Sequence, residues 1–128
     1  LGTPKGGVFK PDMGVINTRY WLTLMGGDQT LRLETWGSMP RFRHEVPFAW
    51  KTDSWYRMKF QVKHDGGKAK LFGKVWPRDD KEPEKWTIEF EDPIPHTEGS
   101  PALYGYSPGT TAKSKGPEVF FDNLEVTK

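Results

Sequence analysis

Apolar and polar residues alternate along most of this chain, and the alternation has the two-residue period of half-buried strands. The clearest case spans Trp55 to Pro77. Tyr56, Met58, Phe60 and Val62 fall on one face of a first run, and Arg57, Lys59, Gln61 and Lys63 fall on the other. Ala69, Leu71, Gly73 and Val75 repeat the pattern in a second run, opposite Lys68, Lys70, Phe72, Lys74 and Trp76. Asp65, Gly66 and Gly67 stand between the runs and supply the positive φ that a tight hairpin demands. The pattern therefore predicts an antiparallel hairpin, apolar inside and basic outside, with the rings of Phe72 and Trp76 on its outer side.

The same reading predicts strands over Met13–Thr18, Arg19–Met25, Gln29–Trp36 and Arg41–Val46. It places Tyr20, Leu22, Leu24, Leu31, Leu33 and Thr35 inward, with Phe42, His44 and Val46 on the core side. Further strands are expected at Trp86–Phe90, with Trp86, Ile88 and Phe90 inward, at Ala102–Tyr106, and at Val119–Val126. Residues 1–12 read as an irregular lead-in, and the charged run Arg78–Lys85 as a solvated hairpin tip. No amphipathic helix of three turns and no internal repeat is apparent. About eight or nine short strands at this spacing predict an all-β, antiparallel two-sheet sandwich or barrel in one domain over residues 1–128.

Composition narrows the chemistry. The 128 residues contain no cysteine, which excludes disulfides, thiol catalysis and cysteine-ligated zinc. A domain of this size buries roughly two-thirds of its unfolded surface, so neither metal nor disulfide is obligatory. The formal net charge of +2 does not call for a nucleic-acid partner. No apolar run is long enough for a membrane-spanning helix. The chain opens at Leu1 rather than Met, and it is read as a mature product or a fragment. Six tryptophans exceed what the core of a small domain uses, so some are expected to meet water or a ligand.

The parity of the early strands places Trp21, Thr23, Arg32, Glu34, Trp36, Arg41 and Arg43 together on the outward side. Aromatic rings stack on the C–H faces of sugars, and guanidinium and carboxylate groups meet hydroxyls. Trp21, Arg32, Glu34, Trp36, Arg41 and Arg43 are accordingly candidates for binding a glycan or cell-surface polysaccharide. The competing reading is an ordinary sheet face laced by Arg32–Glu34–Arg41 ion pairs. Phe72 and Trp76 form a secondary surface, either shielded by lysine stems or open to a partner. Glu89 and Glu91 share one strand face at a spacing that some jelly-roll hydrolases use, but the pattern is common and no catalytic residue is assigned. His44, His64 and His96 stand in separate contexts. Asp122 shares the parity of Phe120, Leu124 and Val126, so it is expected inside, met by backbone N–H groups or by a structural calcium.

Val119-Phe120-Phe121-Asp122-Asn123-Leu124-Glu125-Val126 resembles the closing strand of concanavalin-like and laminin-G-like jelly rolls and of several carbohydrate-binding modules. In some of those modules the matching Asp helps to hold calcium. Asp12-Met13-Gly14-Val15-Ile16-Asn17, Gly73-Lys74-Val75-Trp76-Pro77 and Gly99–Tyr106 resemble a narrower group: the C-terminal jelly-roll region that follows a pyrroloquinoline-quinone-type β-propeller in large exported bacterial proteins. The resemblance implies a periplasmic or extracellular module, one or two N-terminal strands short, that binds sugar or contacts other domains or subunits of a larger protein. The propeller's cofactor residues have no counterpart here, so no quinone activity follows from it. Three functions compete: a non-catalytic carbohydrate-binding or adhesion module, a structural or interaction domain in an extracellular or periplasmic complex, and a glycoside-hydrolase-like jelly roll.

Overall fold

A computed structural model describes residues 10–37, 39–109, 111–113 and 116–128. The lead-in over residues 1–9 lies outside the described residues. Eight strands follow in order: β1 (Asp12–Asn17), β2 (Tyr20–Met25), β3 (Thr30–Thr35), β4 (Arg43–Pro47), β5 (Tyr56–Asp65), β6 (Lys68–Pro77), β7 (Ile88–Asp92) and β8 (Ala102–Tyr106). They form two antiparallel sheets, one of five strands in the order β4-β3-β2-β1-β8 and one of three in the order β5-β6-β7. No helix occurs among the described residues. The chain is an all-β sandwich in which β5 lies against β1, and β7 against β3 and β4.

The long hairpin is the one the alternation predicts. Met58 pairs with Val75, Phe60 with Gly73 and Val62 with Leu71. Gly66 and Gly67 have φ of 57° and 79°, so both central turn positions are left-handed, as a two-residue hairpin with right-twisted strands requires. Gly73 has a packing role as well. A Cβ there would stand 2.6 Å from Leu22 Cδ1 and 3.0 Å from Ile88 Cγ2, so its bare backbone lets the sheets close over Leu22.

The core consists of Tyr20, Leu22, Leu24, Leu31, Leu33, Trp50, Ala69, Leu71, Val75 and Ile88. Met58, Phe60 and Val62 share the expected face but are only half buried, because β5 is an edge strand of the small sheet. Trp50, from the connection after β4, reaches the core by donating its indole N–H to the Met25 carbonyl at 3.3 Å. Phe42 stacks on Phe90 at 4.1 Å between centroids and His44 lies 5.6 Å from the same ring, so His44 is a packing residue.

Two expectations fail. Trp86 does not point inward with Ile88. It precedes β7 and lies over the outer side of the small sheet, 5.5 Å from the Phe72 ring. Among the described residues Val119–Val126 pairs with no strand, and Phe120, Leu124 and Val126 are 66%, 62% and 61% exposed. Alternation supplies the pattern of a strand, but a strand also needs an edge to pair with. The segment instead crosses the inner side of β8, where Val119 and Phe121 approach Gly105.

Candidate functional site

The register of the large sheet fixes which side chains share its outer side. Trp21 is opposite Glu34, Thr23 opposite Arg32, Arg32 opposite Glu45 and Glu34 opposite Arg43. On the other flank, Ile16 is opposite Trp21 and Ala102, and Gly14 is opposite Thr23 and Tyr104. Gly14 places no side chain between β2 and β8, so Tyr104 leans across β1 and packs on Trp21 with ring centroids 4.5 Å apart. The outer side thus has an aromatic half over β2, β1 and β8, and a charged half over β3 and β4.

The charged half is satisfied internally. Arg32 Nε donates to Glu45 at 2.5 Å, and its Nη2 lies 3.4 Å from Asp28. Arg43 Nε donates to Glu34 at 3.1 Å. These are the cross-strand pairs of an ordinary sheet face, and they leave Arg32, Glu34 and Arg43 as a rim rather than a set of free donors.

The aromatic half ends in a cleft of about 320 Å³, lined by Ile16, Arg19, Trp36, Gly99, Ser100 and Ala102. Trp36 lies just beyond β3, where its N–H donates to the Arg19 carbonyl at 2.8 Å and its ring is 58% exposed. The β1–β2 turn beside it is strained. Thr18 and Arg19 have φ of 50° and 64° without being glycine. The two-residue hairpin loop between Asn17 and Tyr20 requires this left-handed backbone, at a cost of order 1–3 kcal/mol per non-glycine residue. Gly99 packs tightly on that turn, since a Cβ there would stand 2.9 Å from the Arg19 nitrogen. On the same outer side, Trp21 Nε1 and Thr23 Oγ1 are buried with no hydrogen-bond partner among the described residues. Burial raises the Tyr104 phenol above its ordinary pKa, helped by the Asp12 and Glu34 carboxylates, so it stays a neutral donor. Sequence reasoning did not find Arg19, Tyr104 or the exposed Tyr106 as parts of this face. Tyr104 carried the alternation signal, but only the position of β8 beside β1 brings it to Trp21.

Arg41 does not belong to this face. Its guanidinium binds the Asp92 carboxylate through two bonds of 2.9 and 2.6 Å, and donates to the Ile94 carbonyl at 2.9 Å. Asp92 is fully buried and also accepts from Tyr20 Oη at 2.6 Å and from the Ile94 amide at 3.0 Å. Tyr20 Oη in turn accepts from the His96 amide at 2.8 Å. This hub joins the two sheets and is structural. Burial pushes the Asp92 carboxyl up, but bonds from Arg41, Tyr20 and Ile94 outweigh it and hold the group below the ordinary carboxylate range. Burial and the Asp92 bond raise Tyr20 to about 12. Arg41 follows a turn and precedes β4, so strand parity did not govern it.

On the small sheet, Phe72 and Trp76 are half buried under lysine stems. Lys63 Nζ lies 5.8 Å from the Phe72 ring, and Lys74 Nζ lies 5.9 Å from Trp76 and 4.7 Å from Trp86. Lys74 also meets Glu82 at 3.0 Å and the Pro83 carbonyl at 2.8 Å. Glu89 and Glu91 are opposite Phe72 and Lys70 across the ladder, and Glu91 is bound by Lys68, so neither faces a second carboxylate across the strand pair.

Asp122 is exposed, not inside. Its Oδ1 accepts from the adjacent Asn123 amide, at 2.8 Å. Because Val119–Val126 does not pair, its parity never becomes an inside and an outside. Among the described residues no group of three or more His, Asp or Glu side chains is arranged to hold a metal ion. The carbonyl oxygens expected to share a calcium ion with Asp122 belong to the N-terminal segment, of which residues 1–9 lie outside the described residues. No helix of the described residues is long and apolar enough to cross a membrane.

No family model, no curated protein and no solved structure matches this chain.

Proposed function

We propose that this chain is a non-catalytic carbohydrate-binding module of an exported bacterial protein. Its glycan lies on the outer side of the five-stranded sheet, in the Trp36 cleft and along the Trp21–Tyr104 pair. The observation that carries this reading is the exposed Trp36 ring forming one wall of a cleft at the end of an aromatic sheet face. Its volume is at the lower end of small-ligand sites, suited to one or two sugar rings. Trp36 offers a stacking surface, and Arg19 and Ser100 bring hydrogen-bonding groups to the same opening.

A glycan array on the whole chain, followed by calorimetry on any hit, tests the proposal. Trp36→Ala is expected to lower affinity about tenfold or more, an order typical of losing one aromatic anchor. Its melting temperature should be unchanged, because the ring is mostly in solvent. Equal binding by variant and parent would move the site away from the cleft, and failure to bind any glycan would reject the module reading.

The second reading, an interaction domain within a larger complex, is favoured by a separate observation. Leu103 and Tyr106 of the edge strand β8 are exposed, as are Phe120 and Phe121 in the segment that crosses it.

A further inference from the structure

The sandwich has four edge strands, β4 and β8 in the large sheet and β5 and β7 in the small one. Edge strands template unwanted pairing unless charges, proline or bulges blunt them. Three of the four are blunted. β4 carries Arg43, Glu45 and Pro47; β5 carries Arg57, Lys59 and Lys63; β7 carries Glu89, Glu91 and Asp92. β8 reads Ala-Leu-Tyr-Gly-Tyr and has no charge and no proline. Among the described residues no strand pairs with its far side.

Apolar surface collects at the same place. Among the described residues ten large hydrophobic side chains are exposed, and six of them lie on β8 or in the segment that crosses it: Leu103, Tyr106, Phe120, Phe121, Leu124 and Val126. Val119 and Phe121 approach Gly105, and Ser107 Oγ donates to the Pro117 carbonyl, so strand and segment form one strip.

We propose that β8 pairs antiparallel with β8 of a second copy about a two-fold axis through Tyr104, joining two five-stranded sheets into one. The sequence of β8 is self-complementary in this register. Leu103 comes opposite Gly105 of the second copy, and Ala102 opposite its Tyr106, so each large side chain meets a small one on the same side of the sheet. Tyr104 meets its own counterpart but leans away over Gly14 toward Trp21, which clears the axis. Phe120, Phe121 and Tyr106 leave roughly 250–400 Å² uncovered per copy, from the size of aromatic side chains and their exposures. That is about half of the ~600 Å² per partner that small specific interfaces need. Leu103 and the new ladder add to this area. A two-fold contact of this kind closes on itself and does not propagate.

The test uses the whole chain and does not depend on any glycan. Sedimentation equilibrium over a wide range of protein concentration is expected to show a monomer–dimer equilibrium. Leu103→Lys, at an already exposed position, should raise the dissociation constant about tenfold or more without changing the melting temperature measured at concentrations where the parent is monomeric. Because the chain has no cysteine, Tyr104→Cys should give a disulfide-linked dimer on mild oxidation. Directly opposed residues have Cα atoms about 4.5–5.5 Å apart, within disulfide reach. Ala102→Cys should not cross-link, since the two Ala102 positions stand about 13 Å apart in this register. A monomer at every concentration, an open-ended series of oligomers, equal cross-linking by both cysteine variants, or a dimer indifferent to Leu103→Lys would each overturn the proposal.

Discussion

Tyr20→Phe isolates the hub that ties the two sheets. The substitution keeps the ring, so it leaves no cavity in the core, and removes one oxygen that makes two bonds. The first is the 2.6 Å bond donated to the buried Asp92 carboxylate, and the second is accepted from the His96 amide at 2.8 Å. A bond to a charged group contributes about 1.5–3 kcal/mol, and a stranded amide adds about 1 kcal/mol where water reaches it in part. Asp92 keeps both Arg41 bonds and the Ile94 amide, so it is weakened rather than abandoned. The expected loss is about 2–4 kcal/mol. For a domain of this size that lowers the melting temperature by roughly 6–15 °C. Urea unfolding followed by tryptophan fluorescence should show a lower midpoint with an unchanged slope. The pH dependence provides a second readout. The folded pKa of Asp92 is depressed, so its stabilisation is present above the unfolded value and lost as pH falls through the folded one. Without Tyr20 Oη the depression shrinks, and the variant's stability should fall less steeply over that acid window than the parent's. A loss under about 0.5 kcal/mol at neutral pH, far below the cost of a bond to a buried charge, would refute the reasoning. So would an acid slope identical to the parent's.

Arg41→Ala leaves the buried Asp92 without its counter-ion. A fully buried pair broken this way costs about 3–5 kcal/mol, but the Arg41 side chain is 37% exposed, so about 1.5–3 kcal/mol is expected after screening, measured by the same urea titration. Gly73→Ala forces Leu22 and Ile88 to shift and should cost about 1–3 kcal/mol, whereas a neutral result would show that the sheets have slack at Leu22. Asp122→Ala should change stability by less than about 0.5 kcal/mol, and chelator should leave the melting temperature unmoved. A chelator-sensitive melt would instead reveal a metal that the exposed Asp122 carboxylate does not account for.

Alternation alone determined most of the framework. The hairpin from Tyr56 to Pro77, the early meander and the inward set of Leu22, Leu31, Leu33, Leu71 and Val75 all follow from a two-residue period that must segregate apolar side chains. The Asp65-Gly66-Gly67 turn was equally legible, because positive φ narrows the choice of residue. What the sequence left open lies where local pattern and partner diverge. Trp86, Arg41 and Trp36 sit just outside strands, where parity no longer dictates direction. Trp86 joined the outer aromatic cover, Arg41 clamps the buried Asp92 and Trp36 walls a cleft. Asp92 shares the inward parity of Ile88 and Phe90, but the partners that meet its charge, Tyr20 and Arg41, come from distant sequence. Tyr104 meets Trp21 only because β8 pairs with β1 across a glycine. Val119–Val126 has the composition of a strand and no ladder, since hydrogen bonding to a neighbour is a property of the assembled sheet. A sequence encodes which side chains shun water; which edges remain to cover them is decided by tertiary packing.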